Sequence, residues 1–215
     1  MFFLLFVIAV FYEPTDMQIA GKPFELPPKL YGQIKFMSPN LCELRMIAKT
    51  LNIQSNHYGS CNIEDIKNQE DRYKIFTEIS DLSAKLHDHV ENIIVTAGNL
   101  GVFIQRFHDS DRVFFTKQLN YINGKEDEQY GRYYPALKID NVINASGAGD
   151  AFVAGFVTAM LNQKSEAICV SVGFQASKRS LSSKSAVPDE FFNQSDNSWT
   201  TPAKYDTMRY VNNFE

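Results

Sequence analysis

The sequence predicts an α/β protein with a doubly wound, mostly parallel sheet covered by helices on both faces. Short apolar segments of strand composition alternate with segments that place apolar side chains at helical spacing. The strand segments contain few polar positions, which is typical of parallel strands buried on both faces. In such sheets ligands bind beyond the carboxyl ends of the strands, so the turns at those ends are candidate sites.

An apolar run of about ten residues, MFFLLFVIAV, opens the chain. Its length also fits the core of a signal peptide, but no Lys or Arg precedes it and no small-x-small cleavage site follows it. A helix that spans a bilayer needs about 20 residues. We interpret the run as a buried parallel strand, with secretion or an arbitrary gene start as the open alternatives.

The later elements follow in order along the chain. Strands are predicted at IKFMS, NIIVTAG and ALKIDNVI, and a hairpin at GVFIQRF and RVFFTK across the turn HDSD. Apolar spacing predicts helices over residues 39–51, 71–87, 147–162 and 164–181. Residues 189–215 are weakly periodic, so we expect one domain over 1–188 followed by a peripheral or partly disordered tail.

Composition excludes several classes of partner. The 215 residues have a formal net charge of -4, and no dense Lys or Arg cluster stands out, so binding to nucleic acid or to an anionic membrane is not expected. The three cysteines, Cys42, Cys61 and Cys169, are an odd number without a CxxC pair. Such usage indicates reduced thiols and a cytoplasmic protein rather than a disulfide framework or a zinc ribbon.

Two polar turns follow predicted strands. In SPNLCE, Asn40 and Glu43 are three residues apart at a helix start and project from one face. Such a pair can hold a hydrated magnesium ion near phosphates, or it can form a helix-capping box without chemistry. In VTAGNLGV, Gly98 and Gly101 either let the backbone approach a ligand or simply turn a hairpin.

The third turn, ASGAGD, joins a predicted strand to a predicted helix. The amides of Gly147, Ala148 and Gly149 are expected to be unsatisfied donors at the positive end of the helix dipole, where an anion is favoured. The helix behind them is apolar on every side, so we expect it to be buried. Asp150 is its only charge, and a carboxylate beside bound phosphates suits a general base for a hydroxyl.

Together, NLCE, TAG and GAGDAFVAGF resemble the ribokinase or PfkB family of carbohydrate and nucleoside kinases, which carries N-x-x-E, T-x-G and GAGD in this order. The resemblance implies a ribokinase-like fold and ATP-dependent phosphorylation of a sugar or nucleoside. Asp150 would accept the hydroxyl proton, and the amides of 147–149 would stabilise the transferred phosphoryl group. The resemblance to the family extends from about Val10 to about Pro188, so we expect the N-terminal part of the fold and most of its β lid to be missing.

Further site residues are implied by the same resemblance. Asn40 and Glu43 would organise Mg²⁺ and its waters, while Thr96 and Gly98 would lie against the nucleotide. The following residues complete the set: Gln175 and Ser183 at the adenine pocket, and Asn144 and Ser146 where relatives bind a monovalent cation through backbone oxygens. Potassium is therefore a candidate activator beside ATP and Mg²⁺.

Within the family, YEPTD, SPNLCEL and Asn144 look most like the pseudouridine kinase branch. That branch implies a small-molecule nucleoside substrate and, in relatives, a homodimer or a fusion with a pseudouridine 5′-phosphate glycosidase domain. Two alternatives stay open: a catalytically inactive nucleotide-binding fragment, and a kinase for another sugar such as ribose. A metal hydrolase built on His87, Asp88 and His89 is disfavoured, because helical residues two apart point about 200° from each other.

Overall fold

The computed structural model describes residues 9–55, 63–124, 130–188 and 192–208. The strands are β1 Val10–Tyr12, β2 Ile34–Met37, β3 Asn92–Thr96, β4 Gly101–Arg106, β5 Tyr130–Pro135 and β6 Asp206–Met208. The α-helices are α1 Pro28–Tyr31, α2 Leu41–Thr50, α3 Gln69–Leu86, α4 Ala148–Leu161 and α5 Glu166–Leu181. Short 3-10 turns span Lys22–Glu25, Ile63–Asp65, Gly98–Leu100 and Asn197–Trp199.

The strands form one six-stranded sheet in the order β1-β2-β3-β4-β5-β6. Strands β1, β2 and β3 run parallel, whereas β4 returns antiparallel to β3. This mixed sheet with helices confirms the predicted α/β class, with the difference that one described pair is antiparallel. Each predicted helix is present to within a few residues at either end, because apolar spacing and capping residues are local signals.

The chain divides into two compact units, which are described separately. The first unit comprises Met1–His108, Gly124–Tyr133 and Thr207–Glu215, and the second comprises Asp109–Asn123 and Tyr134–Asp206. The domain expected over 1–188 and the tail expected over 189–215 stay predictions. Residues 1–8, which hold most of the apolar opening run, lie outside the described residues. No helix in the described ranges is both long enough and apolar enough to cross a membrane.

The core of the first unit lies between helices α2 and α3 and strand β3. Fully buried aliphatic side chains from all three elements pack together, each contributing about 1.5–3 kcal/mol through burial. They include Leu44, Ile47, Ile75, Ile79, Leu82 and Ile93. One charged pair crosses this helix interface: the Arg45 guanidinium donates two hydrogen bonds of 2.7 Å to the Glu78 carboxylate, which is 0% exposed.

The second unit is built on the close pairing of α4 with α5. A Cβ atom on Gly155 would lie 2.9 Å from the Ala176 Cβ and from the Val172 carbonyl oxygen. A Cβ atom on Gly173 would lie 2.7 Å from the ring of Phe152. Glycine therefore lets the two helix backbones approach closely, and the apolar residues of α4 that face α5 are buried.

The expectation that α4 is buried on every side is wrong. Its opposite face, with Ala154, Thr158 and Leu161, is exposed. The helix therefore buries one face, even though its composition is almost wholly apolar. An apolar helix can bury all of its faces only if other elements pack against each of them, and its own sequence does not determine whether they do.

Two predicted strand arrangements are also wrong. Residues 136–143, ALKIDNVI, contain no strand, and Leu137, Val142 and Ile143 are each at least 50% exposed. The hairpin across HDSD is absent, because β4 lies between β3 and β5 in the sheet and both of its edges are therefore occupied. In RVFFTK, Val113 and Phe115 make only isolated bridges.

Residues 192–207 lie mostly at the surface, and Ser198 and Trp199 are the two among them that are buried. Trp199 is 5% exposed, and the amide of Ala203 donates to the Ala167 carbonyl at 3.0 Å. Asp196 caps the short turn before Trp199 by accepting from the Ser198 amide at 2.9 Å. Such contacts are long-range and irregular, so periodicity alone carries no signal for them. Residues 209–215 lie outside the described residues.

Candidate functional site

In the first unit, the turns after β2 and β3 lie side by side. Asn40 and Thr96 form a parallel bridge, and the Thr96 amide donates to the Pro39 carbonyl at 3.0 Å. The two polar turns predicted for this half of the chain are therefore neighbours at the carboxyl end of the parallel strands. This is the sheet edge at which ligands bind in α/β folds.

Asn40 and Glu43 form a complete capping box at the start of α2. The Glu43 amide donates to Asn40 Oδ1 at 3.0 Å, and the Asn40 amide donates to Glu43 Oε2 at 2.9 Å. Asn40 has the extended backbone that an N-cap requires, with φ −78° and ψ 175°. The capping interpretation of this motif is thus present in the structure. It does not use Glu43 Oε1, and Glu43 is 6% exposed.

Tyr12 lies close enough to Glu43 for the charge of the carboxylate to affect the pKa of the phenol. Burial raises the pKa of the Tyr12 phenol, and the negative charge of Glu43 raises it further, since both disfavour the phenolate. The Tyr12 hydroxyl donates to the Ala20 carbonyl at 3.0 Å. Glu43 therefore places a buried negative charge at this edge of the sheet. Over the described ranges, no three His, Cys, Asp or Glu side chains cluster as a ready-made metal site.

Gly98 and Gly101 turn the β3–β4 hairpin. Both have positive φ, +54° and +121°, which side chains other than glycine rarely adopt. The Ala97 amide donates to the Gly101 carbonyl at 2.8 Å and closes the turn. The hairpin interpretation of these glycines is therefore the one observed. Gly98 is exposed, and a Cβ atom there would meet only Ile63, at 3.9 Å, so its backbone stays accessible.

In the second unit, the turn 144–147 leads into the first turn of α4, and we call residues 144–150 together the GAGD loop. Gly147 is its N-cap and has φ +78°. A Cβ atom at Gly147 would lie 2.8 Å from the Ala186 carbonyl oxygen, whereas one at Gly149 would meet nothing within 4 Å. The first glycine is thus required by conformation and contact, and the second leaves open space beside the helix start.

The GAGD loop presents unsatisfied amides. The Ala148 amide makes a long hydrogen bond of 3.4 Å to Ala145, and the Ala151 amide donates to Gly147 at 2.8 Å. Within the described residues, the amides of Gly147, Gly149 and Asp150 have no acceptor. The set of free donors therefore differs by one residue from the predicted set of 147–149. Free amides at a helix start favour an anion, and a phosphate group fits them.

Asp150 occupies the first turn of α4, beside these amides. Its side chain is exposed, and it makes no ion pair or hydrogen bond in the described part of the chain. The expectation of a carboxylate held beside a buried helix is therefore wrong, because the face of α4 that carries Asp150 is open. An exposed carboxylate next to free amides can act as a general base.

Asn144 and Ser146 lie at the entrance of the GAGD loop. Asn144 Oδ1 accepts from the Ser146 amide at 2.9 Å, and Asn144 Nδ2 donates to the Lys184 carbonyl at 3.3 Å. Residues 181–186, which we call the α5 loop, therefore pack on the GAGD loop. In the α5 loop, Ser183 Oγ accepts from the Ser185 amide at 3.1 Å.

Gln175 on α5 is tied to the residues after 192. Its Nε2 donates to Asp196 Oδ2 at 3.2 Å. Hydrogen bonds from the Ser198 amide and hydroxyl lower the pKa of the Asp196 carboxyl, with smaller contributions from Gln175 and Arg179. Gln175 is thus held by a charged acceptor rather than left free in an open pocket.

The histidines take structural positions. The His87 Nε2 atom lies 2.8 Å from the Glu91 carbonyl, and its ring lies 4.0 Å from that of Phe107. His89 contacts Tyr31 instead, with 3.1 Å between Nδ1 and the hydroxyl. The two imidazoles have different partners, which agrees with the interpretation that they do not share a metal ion.

Sequence reasoning missed two features of these sites. Tyr12 beside Glu43 and the α5 loop over Gly147 both depend on contacts between distant residues. The only local signals were the turn residues after β1 and the run of small polar residues in SSKSA. Neither local pattern indicates which distant residue, Glu43 or Gly147, the segment contacts.

Substitution at Gly147 should destabilise the protein, whereas the same change at Gly149 should not. We expect Gly147→Ala to cost about 1–2 kcal/mol for the left-handed backbone and more for the contact with Ala186. Gly149→Ala has free space and a helical position, so the free energy of unfolding should stay unchanged or rise by up to about 1 kcal/mol. Urea denaturation of the two variants checks this, and equal losses would contradict it.

Fold and site together define a class: an α/β protein with free amides at a helix start and an adjacent carboxylate. Comparison with known families agrees with this class. Residues 16–190 match the pfkB family carbohydrate kinase model, and the chain belongs to that family. No curated protein shows significant sequence similarity to the chain.

Solved structures show the same fold at low sequence identity. A ribokinase from Cryptococcus neoformans in complex with ADP has 19% identity and a TM-score of 0.54, over 84% of this chain and 50% of that one. A ribokinase from Arabidopsis thaliana with ribose and ATP has 21% identity and a TM-score of 0.52, over 84% and 45%. An adenosine kinase from Sinorhizobium meliloti has 14% identity and a TM-score of 0.52, over 85% and 42%. The chain thus spans about half the length of these kinases.

Proposed function

We propose that the chain carries the phosphate-binding and catalytic part of a kinase that transfers the γ-phosphoryl group of ATP to a hydroxyl of a sugar or nucleoside. The observation that carries the proposal is the GAGD loop, in which three free amides lie next to the accessible Asp150 carboxylate. Family membership supports the same reaction class.

In the proposed reaction, the substrate hydroxyl oxygen bonds to the γ-phosphorus while the bond from that phosphorus to the bridging oxygen of ADP breaks. The hydroxyl proton passes to the Asp150 carboxylate, and ADP leaves. The amides of Gly147, Gly149 and Asp150 donate to the phosphoryl oxygens, where negative charge is concentrated in the transition state. These donors belong to the backbone, so they need no reorganisation when the reaction occurs.

Mg²⁺ is the metal ion proposed for the first unit. Glu43 provides a buried carboxylate at the carboxyl end of the parallel strands, and Asn40 holds that carboxylate in place through two hydrogen bonds. Hard oxygen donors of this kind suit a magnesium ion that keeps most of its waters. When bound, the ion would neutralise charge on the ATP phosphates. We propose that it is held through water, because the described residues contain no larger ligand cluster.

Nucleotide contacts are proposed at four further residues. Thr96 and Gly98 follow β3 and would lie against the phosphates or ribose of ATP, and the exposed backbone of Gly98 supports this. Gln175 and Ser183 would lie at the adenine pocket, which α5 and the α5 loop would wall. A potassium ion at Asn144 and Ser146 is the remaining candidate from the family resemblance.

Pseudouridine is the substrate that we propose first, on the YEPTD, SPNLCEL and Asn144 pattern. Ribose is the alternative, and solved kinases with this fold include ribokinases and an adenosine kinase. A homodimer, or a fusion with a pseudouridine 5′-phosphate glycosidase domain, remains part of this proposal. We also propose a cytoplasmic location, because Cys42 and Cys169 are free thiols.

A catalytically inactive nucleotide-binding fragment is the second candidate function. It is favoured by one observation: the chain spans only about half the length of the solved kinases. Such a fragment would bind ATP without transferring its phosphoryl group.

A coupled assay for ADP separates the two candidates. The purified chain is given Mg-ATP with pseudouridine, ribose or adenosine, and nucleotide binding is measured in parallel by calorimetry. Turnover with one acceptor supports the kinase and names its substrate. Binding without turnover supports the inactive fragment. The absence of both binding and turnover would contradict the proposal for this chain.

Glu43→Gln should separate the capping role of Glu43 from its magnesium role. Glutamine can still complete a capping box, so α2 should keep its stability, but the negative charge is lost. We expect Mg²⁺-dependent ATP affinity to fall about 10-fold. The pKa of Tyr12 should fall toward its ordinary value, because one cause of its elevation is removed.

ATP titrations with Mg²⁺ and with EDTA measure the first effect, and NMR of labelled tyrosine measures the second. Glu70→Gln is the matched control, because it removes the same charge at an exposed position of α3 and should change neither quantity. A Glu43→Gln variant with unchanged affinity in Mg²⁺ and a lowered Tyr12 pKa would leave Glu43 with a purely structural role.

A further inference from the structure

We propose that the side-chain amide of Asn144 clamps the GAGD loop to the α5 loop, and that this clamp takes the place of a monovalent cation. The inference rests on the proposed function, because the clamped loop is the proposed phosphate site. It differs from the expectation that Asn144 and Ser146 are cation ligands. The clamp itself can be tested without nucleotide.

The clamp uses both ends of one amide group. Asn144 Oδ1 accepts from the Ser146 amide at 2.9 Å, inside the GAGD loop. Asn144 Nδ2 donates to the Lys184 carbonyl at 3.3 Å, in the α5 loop. The two partners determine the orientation of the amide, since an N–H group must face the carbonyl and an oxygen must face the N–H group.

Backbone contacts continue the same junction. The Ile143 and Asn144 amides both donate to the Leu181 carbonyl, at 2.8 and 3.3 Å. On the other side of the clamp, Ala186 lies so close to Gly147 that only glycine fits. The α5 loop therefore packs directly on Gly147, the residue with positive φ from which α4 and its free amides begin.

The side chains at this junction do not favour a monovalent cation. A cation needs oxygen lone pairs directed at one point, but the Asn144 amide turns its N–H group, not its oxygen, toward the Lys184 carbonyl, so its hydrogens would face an ion placed there. Apart from Asp150, the GAGD loop and the α5 loop contain no carboxylate, and Lys184 adds a positive charge. A neutral amide that both donates and accepts joins the two loops without an ion.

An aspartate at position 144 would reverse this situation. It could still accept from the Ser146 amide, but it could not donate to the Lys184 carbonyl. Two oxygen atoms would then face each other, and that arrangement favours a bound cation. Asn144 is therefore a positioning residue whose identity determines whether the loop needs an ion.

The test compares Asn144→Asp with the wild type in KCl, NaCl and tetramethylammonium chloride. Hydrogen exchange is followed in the peptide containing 143–146, and ADP binding is followed by calorimetry. For the wild type we expect exchange and affinity to agree within about 2-fold in all three salts. For Asn144→Asp we expect exchange about 3- to 10-fold faster in tetramethylammonium, from one lost hydrogen bond, with protection regained in KCl.

Two further variants make the result specific. Asn144→Ala removes the clamp without adding a charge, so its faster exchange should not be regained in KCl. Asn141→Asp adds the same charge at an exposed position and should behave as the wild type. Wild-type protection that rises more than 2-fold with K⁺, or Asn144→Asp exchange equal to the wild type in tetramethylammonium, would overturn the inference. Failure of ADP binding with the expected exchange pattern would count against the proposed function and leave the clamp supported.

Discussion

Asp150→Asn is expected to lower turnover about 10²- to 10⁴-fold, the usual contribution of a general base. The substitution keeps the size of the side chain but removes its ability to take the hydroxyl proton. ATP affinity should change little, because the three free amides and the GAGD loop remain. The measurement is the coupled ADP assay with the acceptor that the wild type uses, together with ADP calorimetry on both proteins.

The exposure of Asp150 makes this a clean test. The carboxylate has no partner in the described ranges, so its loss should cost at most about 1 kcal/mol through the helix dipole. Asp111→Asn, at another exposed acid of the second unit, is the matched control and should keep full turnover. Turnover by Asp150→Asn within 10-fold of the wild type would rule out the proposed role of the carboxylate.

Arg45→Met should lower the free energy of unfolding more than Gly147→Ala, Gly149→Ala or Lys74→Met. It would leave the Glu78 carboxylate, at 0% exposure, without the guanidinium that donates two hydrogen bonds of 2.7 Å to it. Removing one partner of a buried ion pair costs about 3–5 kcal/mol. Urea denaturation followed by circular dichroism measures the loss.

The double variant Arg45→Met with Glu78→Leu distinguishes the cost of a stranded charge from the value of the pair. Apolar residues of similar volume often replace a buried pair at little cost, so the double variant should recover most of the loss. Lys74→Met, which breaks the exposed pair with Glu70, is the control and should change stability by less than about 1 kcal/mol. A double variant as unstable as Arg45→Met would mean that the pair itself supplies the stability.

Local signals predicted the parts of the structure that depend on neighbours in the chain. The spacing of Leu44, Ile47 and Ala48 predicts the buried face of α2, and Asn40 with Glu43 predicts its cap. The α4 and α5 helices are also where their apolar spacing placed them. Each of these features is formed within a few residues, so composition and spacing carry the information.

Predictions that needed a distant partner failed. The segment ALKIDNVI has strand composition but no strand, and α4 has an apolar surface that is exposed along Ala154, Thr158 and Leu161. Apolar residues indicate what a segment could bury, but whether anything covers them depends on the rest of the fold. The turn after β3 is a further example, because its glycines predict a turn but do not determine which strands β4 pairs with.

By itself, the sequence determined the α/β class, the order of the motifs NLCE, TAG and GAGD, and the identity of Asp150 and the glycines beside it. Only the tertiary structure decided that Asp150 is accessible, that Tyr12 lies beside Glu43, and that Asn144 reaches Lys184. The last of these contacts joins residues 40 positions apart. The physical reason is that a motif consists of residues that are neighbours in the sequence. Exposure, local charge and the clamp on the GAGD loop depend on chain segments that meet only when the protein folds.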